Sequence, residues 1–198
     1  MIAPNNLFAQ TPEEVVERMT AELNKSDSLG MTFDFVMSIP ILGTFGSTNS
    51  VLGDKMRIEI VEKGKKNISW DDGTTSWEYD SEANEVKITN SKPKENAEKS
   101  GNMGLVKGAT DGYDLSFDKK TDDKVWYIKC KKNKSNKDKD DPKRMDLAVS
   151  KADYSAIYLR TKSSGIGISM ENFKIGVTEE QVTFNPADFP GVKIIDER

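Results

Sequence analysis

From Met31 onward the chain alternates. Met31, Phe33, Phe35, Met37 and Ile39 fall on one side of an extended backbone, and Thr32, Asp34, Val36 and Ser38 on the other. This is the two-residue period of a half-buried strand. Pro40 interrupts it, and residues 45–52 read as a second strand. Gly53-Asp54 turns the chain, after which Met56, Ile58 and Ile60 alternate against Arg57, Glu59 and Val61. Residues 68–88 carry two successive tight hairpins. The first turns at Asp72-Gly73, a pair suited to positive φ, between Trp70 on one side and Trp77 and Tyr79 on the other. The second turns at Ser81-Glu82-Ala83-Asn84 and places Val86 and Ile88 on one face of the returning strand. Strand patterning resumes at 113–117, 124–131, 144–149, 155–160 and 166–170, with residues 181–185 expected as the last strand. Ten or eleven short strands built by meander predict a strongly curved antiparallel sheet.

Ahead of the sheet the period changes. Thr11-Pro12-Glu13-Glu14 is a helix start: a capping threonine, proline at the first helical position and the glutamate of a capping box. Val15, Val16, Met19 and Leu23 then form one apolar stripe over about three turns, ended by residues 24–28. Such a helix needs a partner surface, and the concave side of the sheet offers one. The predicted class is therefore α+β, a half-barrel with a helical lid or plug, in a single domain over residues 11–198. Residues 91–110 lose the strand pattern; they are polar and glycine-broken, with Met103, Leu105 and Val106 as their apolar content. They are expected to be mobile, with residues 95–110 either a second lid element or an ordinary surface loop.

Composition narrows the chemistry. The 198 residues suffice for one substantial core. The net charge is −4 with both signs interspersed, which argues against a nucleic-acid partner. The absence of histidine removes the commonest general base and metal ligand. Cys130 is the single cysteine, so no disulfide can form within the chain; alternating with Trp126 and Ile128, it reads as a buried structural thiol. Asp71 and Asp72 sit where they shape a turn. Asp138, Asp140 and Asp141 lack the glycine and final glutamate of a calcium loop and read as part of a solvated, mixed-charge hairpin loop over 131–143. Asn6-Leu7-Phe8-Ala9-Gln10 reads as the tail of a signal peptide cleaved near Ala9 or Gln10, or else as a frayed N-terminal arm. The former implies export to the periplasm.

Three segments carry a resemblance. The C-terminal run Phe184-Asn185-Pro186-Ala187-Asp188-Phe189-Pro190-Gly191-Val192-Lys193-Ile194-Ile195-Asp196-Glu197-Arg198 is similar to the ending Phe-x-Pro-x-x-x-Pro-Gly-Val-x-Val-Ile-Asp-x-Arg of the LolA-like outer-membrane lipoprotein carriers. Residues 70–79 resemble that family's Asp-Gly-Lys-Thr-x-Trp-x-Tyr hairpin, and residues 53–59 its Gly-x-Lys-Phe-Arg-x-Glu strand. Residues 40–52 and 131–143 match poorly. The resemblance implies a half-barrel closed by a helical lid around an apolar cavity for lipoprotein acyl chains. It also implies transfer from an inner-membrane transporter to an outer-membrane receptor, with no reaction catalysed and no cofactor. One departure stands out. The family's lid is latched by an arginine on the second strand, and Ser47-Thr48-Asn49-Ser50-Val51 has none; Arg57 matches a later position.

Alternation selects the expected cavity lining: Met31, Phe33, Phe35, Met37, Met56, Ile58, Ile60, Met145, Leu147, Ile166, Ile168 and Met170. Val15, Val16, Met19 and Leu23, with Met103, Leu105 and Val106, are the expected lid. Methionine suits a pocket that must adapt to a variable chain. The same residues would equally make a filled core, and an envelope sensor or regulatory module on this half-barrel would bind protein instead of lipid. Burying one acyl chain of roughly fifteen methylenes yields about 12 kcal/mol at ~0.8 kcal/mol per methylene. Three such chains would exceed the practical ceiling of about 18–21 kcal/mol. A carrier that must release its cargo therefore buries it incompletely or offsets the burial at the lid. The expected protein is a monomer that binds acylated lipoproteins or other lipids.

Overall fold

The computed structural model describes residues 10–92, 111–139, 141–163 and 165–198. The chain begins with helices α1 (Pro12–Asn24) and α2 (Ser26–Leu29). Strands β1 (Met31–Ile39), β2 (Gly43–Leu52), β3 (Lys55–Glu62), β4 (Lys65–Asp71), β5 (Thr75–Asp80) and β6 (Glu85–Asn90) follow. After them come β7 (Tyr113–Phe117), β8 (Val125–Lys132), β9 (Arg144–Ser150), β10 (Ala156–Ser163) and β11 (Ile166–Ile175). A one-turn helix α3 (Glu179–Val182), a 3₁₀ turn (Pro186–Asp188) and β12 (Lys193–Asp196) complete the fold.

All the described strands join one curled, open sheet of twelve, in the order β12-β6-β5-β4-β3-β2-β1-β11-β10-β9-β8-β7. Every neighbour is antiparallel except β12, which lies parallel to β6. Two meanders, β1 to β6 and β7 to β11, meet where β1 pairs with β11. A bulge between Thr32 and Asp34 shifts that register, and Asn172 opposite it adopts φ 58°. The sheet thus matches the expected α+β half-barrel with a helix against it.

The helix start folds as its residues dictate. Thr11 accepts from the Glu14 amide and the Glu14 side chain accepts from the Thr11 amide, closing the capping box. Gly30, at φ 71°, turns the chain from α2 into β1; a Cβ there would lie 2.6 Å from the Val51 carbonyl oxygen, so only glycine fits. Gly73, at φ 86°, supplies the turn between β4 and β5. There the Asp72 carboxylate accepts the amides of Thr74 and Thr75, and Asp71 accepts that of Gly73. Both aspartates shape the turn, as their position implied.

Two expectations are corrected. Residues 181–185 are not a strand. Thr178 and Gln181 form a capping box that starts α3 instead, and the chain leaves it extended at Thr183. The strand lies further on, where β12 pairs Lys193 to Asp196 with Glu85 to Ile88. Residues 24–28 also do not simply end α1, since α2 continues the helical path after Lys25.

The core is built on one face. Val15, Val16, Met19 and Leu23 of α1 pack with Met31 and Phe33, Tyr113, Trp126, Ile128 and Cys130, Met145, Leu147 and Val149, Ala156 and Leu159, and Met170. The helix covers the half of the sheet that runs from β1 through β11 to β7. On the other half the apolar side is reversed. Trp70, Trp77, Tyr79 and Val86 point to the opposite face, where the C-terminal segment covers them. Trp70 meets the rings of Phe184 at 5.3 Å and Phe189 at 5.7 Å, and Tyr79 meets Phe189 at 4.6 Å. The sheet is thus a single layer with a helix on one face at one end and the tail on the other face at the other end.

Candidate functional site

Strand register decides which of the expected lining residues share a surface. Met31 lies opposite Val51, and Val51 opposite Met56; Phe33 opposite Asn49, and Asn49 opposite Ile58. Phe35 faces Met170, which faces Leu159, which faces Leu147. Met37 faces Ile168, which faces Thr161, which faces Met145. Directly paired residues project to the same side, as do residues two apart along a strand. All twelve residues chosen by alternation, including Ile60 and Ile166, therefore lie on the α1 face.

Burial divides them. Met31, Phe33, Met145, Leu147 and Met170 are filled core, with Phe33 only 1% exposed. Phe35 packs at the rim of that core and Met37, Met56, Ile58 and Ile168 are half-buried. Ile60 and Ile166 are exposed, at 42% and 37%. The result is a half-open strip across β3, β2, β1 and β11 beside the packed zone, apolar on β3, β1 and β11 and crossed on β2 by Asn49 and Ser47, which hydrogen-bond to each other. Phe45, opposite Met37 and 41% exposed, belongs to the same strip but was absent from the expected set. Its alternation was weak because Gly43 and Ser47 flank it on that face; only its pairing with Met37 reveals it.

Of the expected lid residues, Val15, Val16, Met19 and Leu23 are all buried against the sheet. Met103, Leu105 and Val106 lie outside the described residues. The helix is tied down by a tyrosine. The Tyr154 hydroxyl lies 2.8 Å from Arg18 Nη1 and 2.6 Å from Gln10 Nε2, both of which donate to it. The Arg18 guanidinium also sits 4.9 Å from the Tyr154 ring centre. Tyr154 in turn stacks on Trp126, at 5.2 Å. On β2, Ser50 shares a hydroxyl contact with Thr32, and Asn49 donates to Ser47. Arg57 pairs with Glu59 and lies over Trp70, on the face away from α1.

Burial dominates the electrostatics of the ionisable groups under α1. Burial pushes the Cys130 thiol up to about 12, with the charge of Asp146 adding to the shift. Burial likewise raises the Tyr113 phenol to about 12, helped by the charge of Asp141, while its hydroxyl donates to the Pro142 carbonyl. Among the described residues no buried side-chain nitrogen or oxygen lacks a partner, and no cluster of three or more acidic or thiol groups is placed to hold a metal. Asp141 is engaged by the Asn136 amide, and Asp140 lies outside the described residues. No helix among the described residues is long and apolar enough to cross a membrane.

No family model matches the sequence, and no curated protein does. Solved structures do match. LprF from Mycobacterium bovis is 9% identical, spans 89% of this chain and 99% of its own, and superposes with a TM-score of 0.52. An uncharacterized conserved protein from Thermus thermophilus is 14% identical over 93% of this chain and 98% of its own, at a TM-score of 0.46. A LolA superfamily protein from Nitrosomonas europaea is 11% identical over 90% of this chain and all of its own, at 0.35. At these identities the likeness concerns the backbone. This chain, a curled antiparallel sheet with a helix lying on one face, shares its backbone fold with LprF.

Proposed function

We propose that this protein is a non-enzymatic binder of acyl chains, working in the periplasm as a carrier of lipid-modified proteins or other lipids. The observation that supports it is the apolar strip of Phe35, Met37, Phe45, Ile58 and Ile168, which continues the core beyond the edge of α1 and is left half-open. A chain laid there would extend the packed interior without displacing it. Partial exposure of the strip keeps the bound state short of full burial, as release requires. Titration with a fluorescent fatty-acyl probe tests the reading. The wild type is expected to bind stoichiometrically, and Met37→Asp and Ile168→Asp to lose binding while keeping their circular dichroism. A folded wild type that takes up no probe overturns it.

A second reading has its own support. Five of the twelve expected lining residues are already filled by α1, as they would be in an envelope regulatory module that binds protein on the same half-barrel. That reading gains if the probe fails to bind.

A further inference from the structure

The β1–β2 hairpin ends in the least expected residues of the chain. Ile41 is fully exposed, at 105%, and Leu42 is 69% exposed. Ile41 also adopts φ 72°, a conformation that glycine or asparagine enters easily and a β-branched side chain does not. Neither packing nor turn geometry selects isoleucine there. The neighbouring apolar residues on this end are Ile39, Phe45 and Ile166, and the β10–β11 turn touches the tip; a Cβ on Gly165 would lie 3.2 Å from Pro40 Cγ.

Register places a second feature on the same end of the sheet. β1 finishes where β11 begins, β10 finishes where β9 begins, and β8 finishes beside Arg144. The β8–β9 loop therefore projects from the end that carries Ile41, three strand spacings or about 14 Å away. Between Lys131 and Arg144 the sequence holds seven lysines or arginines against three aspartates, in a protein whose net charge is −4. Lys131, Lys134, Lys137, Lys139, Lys143 and Arg144 are exposed, as is Lys162 at the end of β10. An apolar wedge beside a basic loop is complementary to an anionic lipid surface. Headgroup charge attracts the lysines, and the tip enters the interfacial layer. A protein partner would need a far larger apolar area than two side chains to hold it.

We propose that the β1–β2 tip, with the basic β8–β9 loop, docks this end of the sheet on an anionic bilayer. The inference does not depend on acyl binding. Co-sedimentation with phosphatidylcholine vesicles, with and without phosphatidylglycerol, tests it. The wild type is expected to bind the anionic vesicles, less so as salt is raised, and to leave the neutral ones largely alone. Ile41→Asn combined with Leu42→Ser is expected to weaken that binding by about tenfold or more, because both side chains lose their transfer from water. Thermal stability should hold or rise, since asparagine accepts the turn geometry. Lys134→Glu with Lys137→Glu and Lys139→Glu is expected to abolish the preference for anionic lipid. Binding of the acyl probe by the tip variant should equal that of the wild type, so failure of either idea leaves the other standing. The proposal is overturned if the wild type ignores anionic vesicles or if the tip variant binds them equally well. It is also overturned if sedimentation velocity finds a self-associated wild type that the tip variant renders monomeric, which would assign the tip to a second copy of this chain.

Discussion

Trp70 is enclosed on several sides: Trp77 across the strand pair, the rings of Phe184 and Phe189, and the Arg57 guanidinium 5.7 Å from its ring. Phe189 touches Trp70, Tyr79 and Phe184, so it anchors the tail to the sheet. Phe189→Ala is expected to cost about 2–4 kcal/mol, read by urea denaturation, somewhat below the about 3–5 kcal/mol of a fully buried ring because Phe189 is half-buried. Burial holds the thiol of Cys130 and the phenol of Tyr113 above their ordinary values. Below about pH 7.5 both groups are protonated in the folded and unfolded chains. Above that the unfolded chain ionises first, the thiol from about 8.5 and the phenol from about 10, while the folded chain follows only towards about 12, so unfolding releases protons and stability falls as pH rises. Cys130→Ala with Tyr113→Phe is expected to flatten that decline in denaturation midpoints measured between pH 8 and 11. The tryptophans were legible in sequence as cross-strand packing. Their partners were not, because Phe184 and Phe189 are more than a hundred residues away and no local period links them.

At the scale of elements, α1 was readable to the residue, since its cap, proline and stripe all agree. What fastens it was not readable. Tyr154 looks like any loop tyrosine until the fold brings Arg18 and Gln10 to its hydroxyl. Tyr154→Phe removes both bonds while leaving the ring stacked on Trp126. It is expected to cost about 1 kcal/mol and to raise hydrogen exchange in α1 several-fold while β9 and β10 stay protected. The C-terminal elements show the opposite failure. Val182 and Phe184 alternate like a strand, yet the threonine and glutamine of the α3 capping box precede them and prevail. β12 has only four residues, and β6, its partner, is remote in sequence, so nothing local distinguishes it from coil. Ending the chain after Val192 would uncover the β6 edge, and such a variant is expected to lose thermal stability and to aggregate on heating.

Across the whole molecule, the apolar side of the sheet changes face between its halves. The α1 face is mainly apolar from β3 to β7, apart from Ser47 and Asn49 on β2 and Thr161 on β10, and polar on β4 and β5, where Asp71, Ser69, Ser76 and Glu78 occupy it. Alternation grouped each apolar set on one face but could not tell that the two sets oppose each other, because a period of two says nothing about which side a strand shows its neighbour. The consequence is functional. The proposed acyl site is the strip between the rim of α1 and β3. Photo-crosslinking with a diazirine fatty acid, followed by peptide mapping, locates it. Labels on the peptides containing Met37, Phe45, Ile58 and Ile168 are the predicted result; labels confined to the Trp70 and Phe189 face, or none on the folded protein, would contradict it.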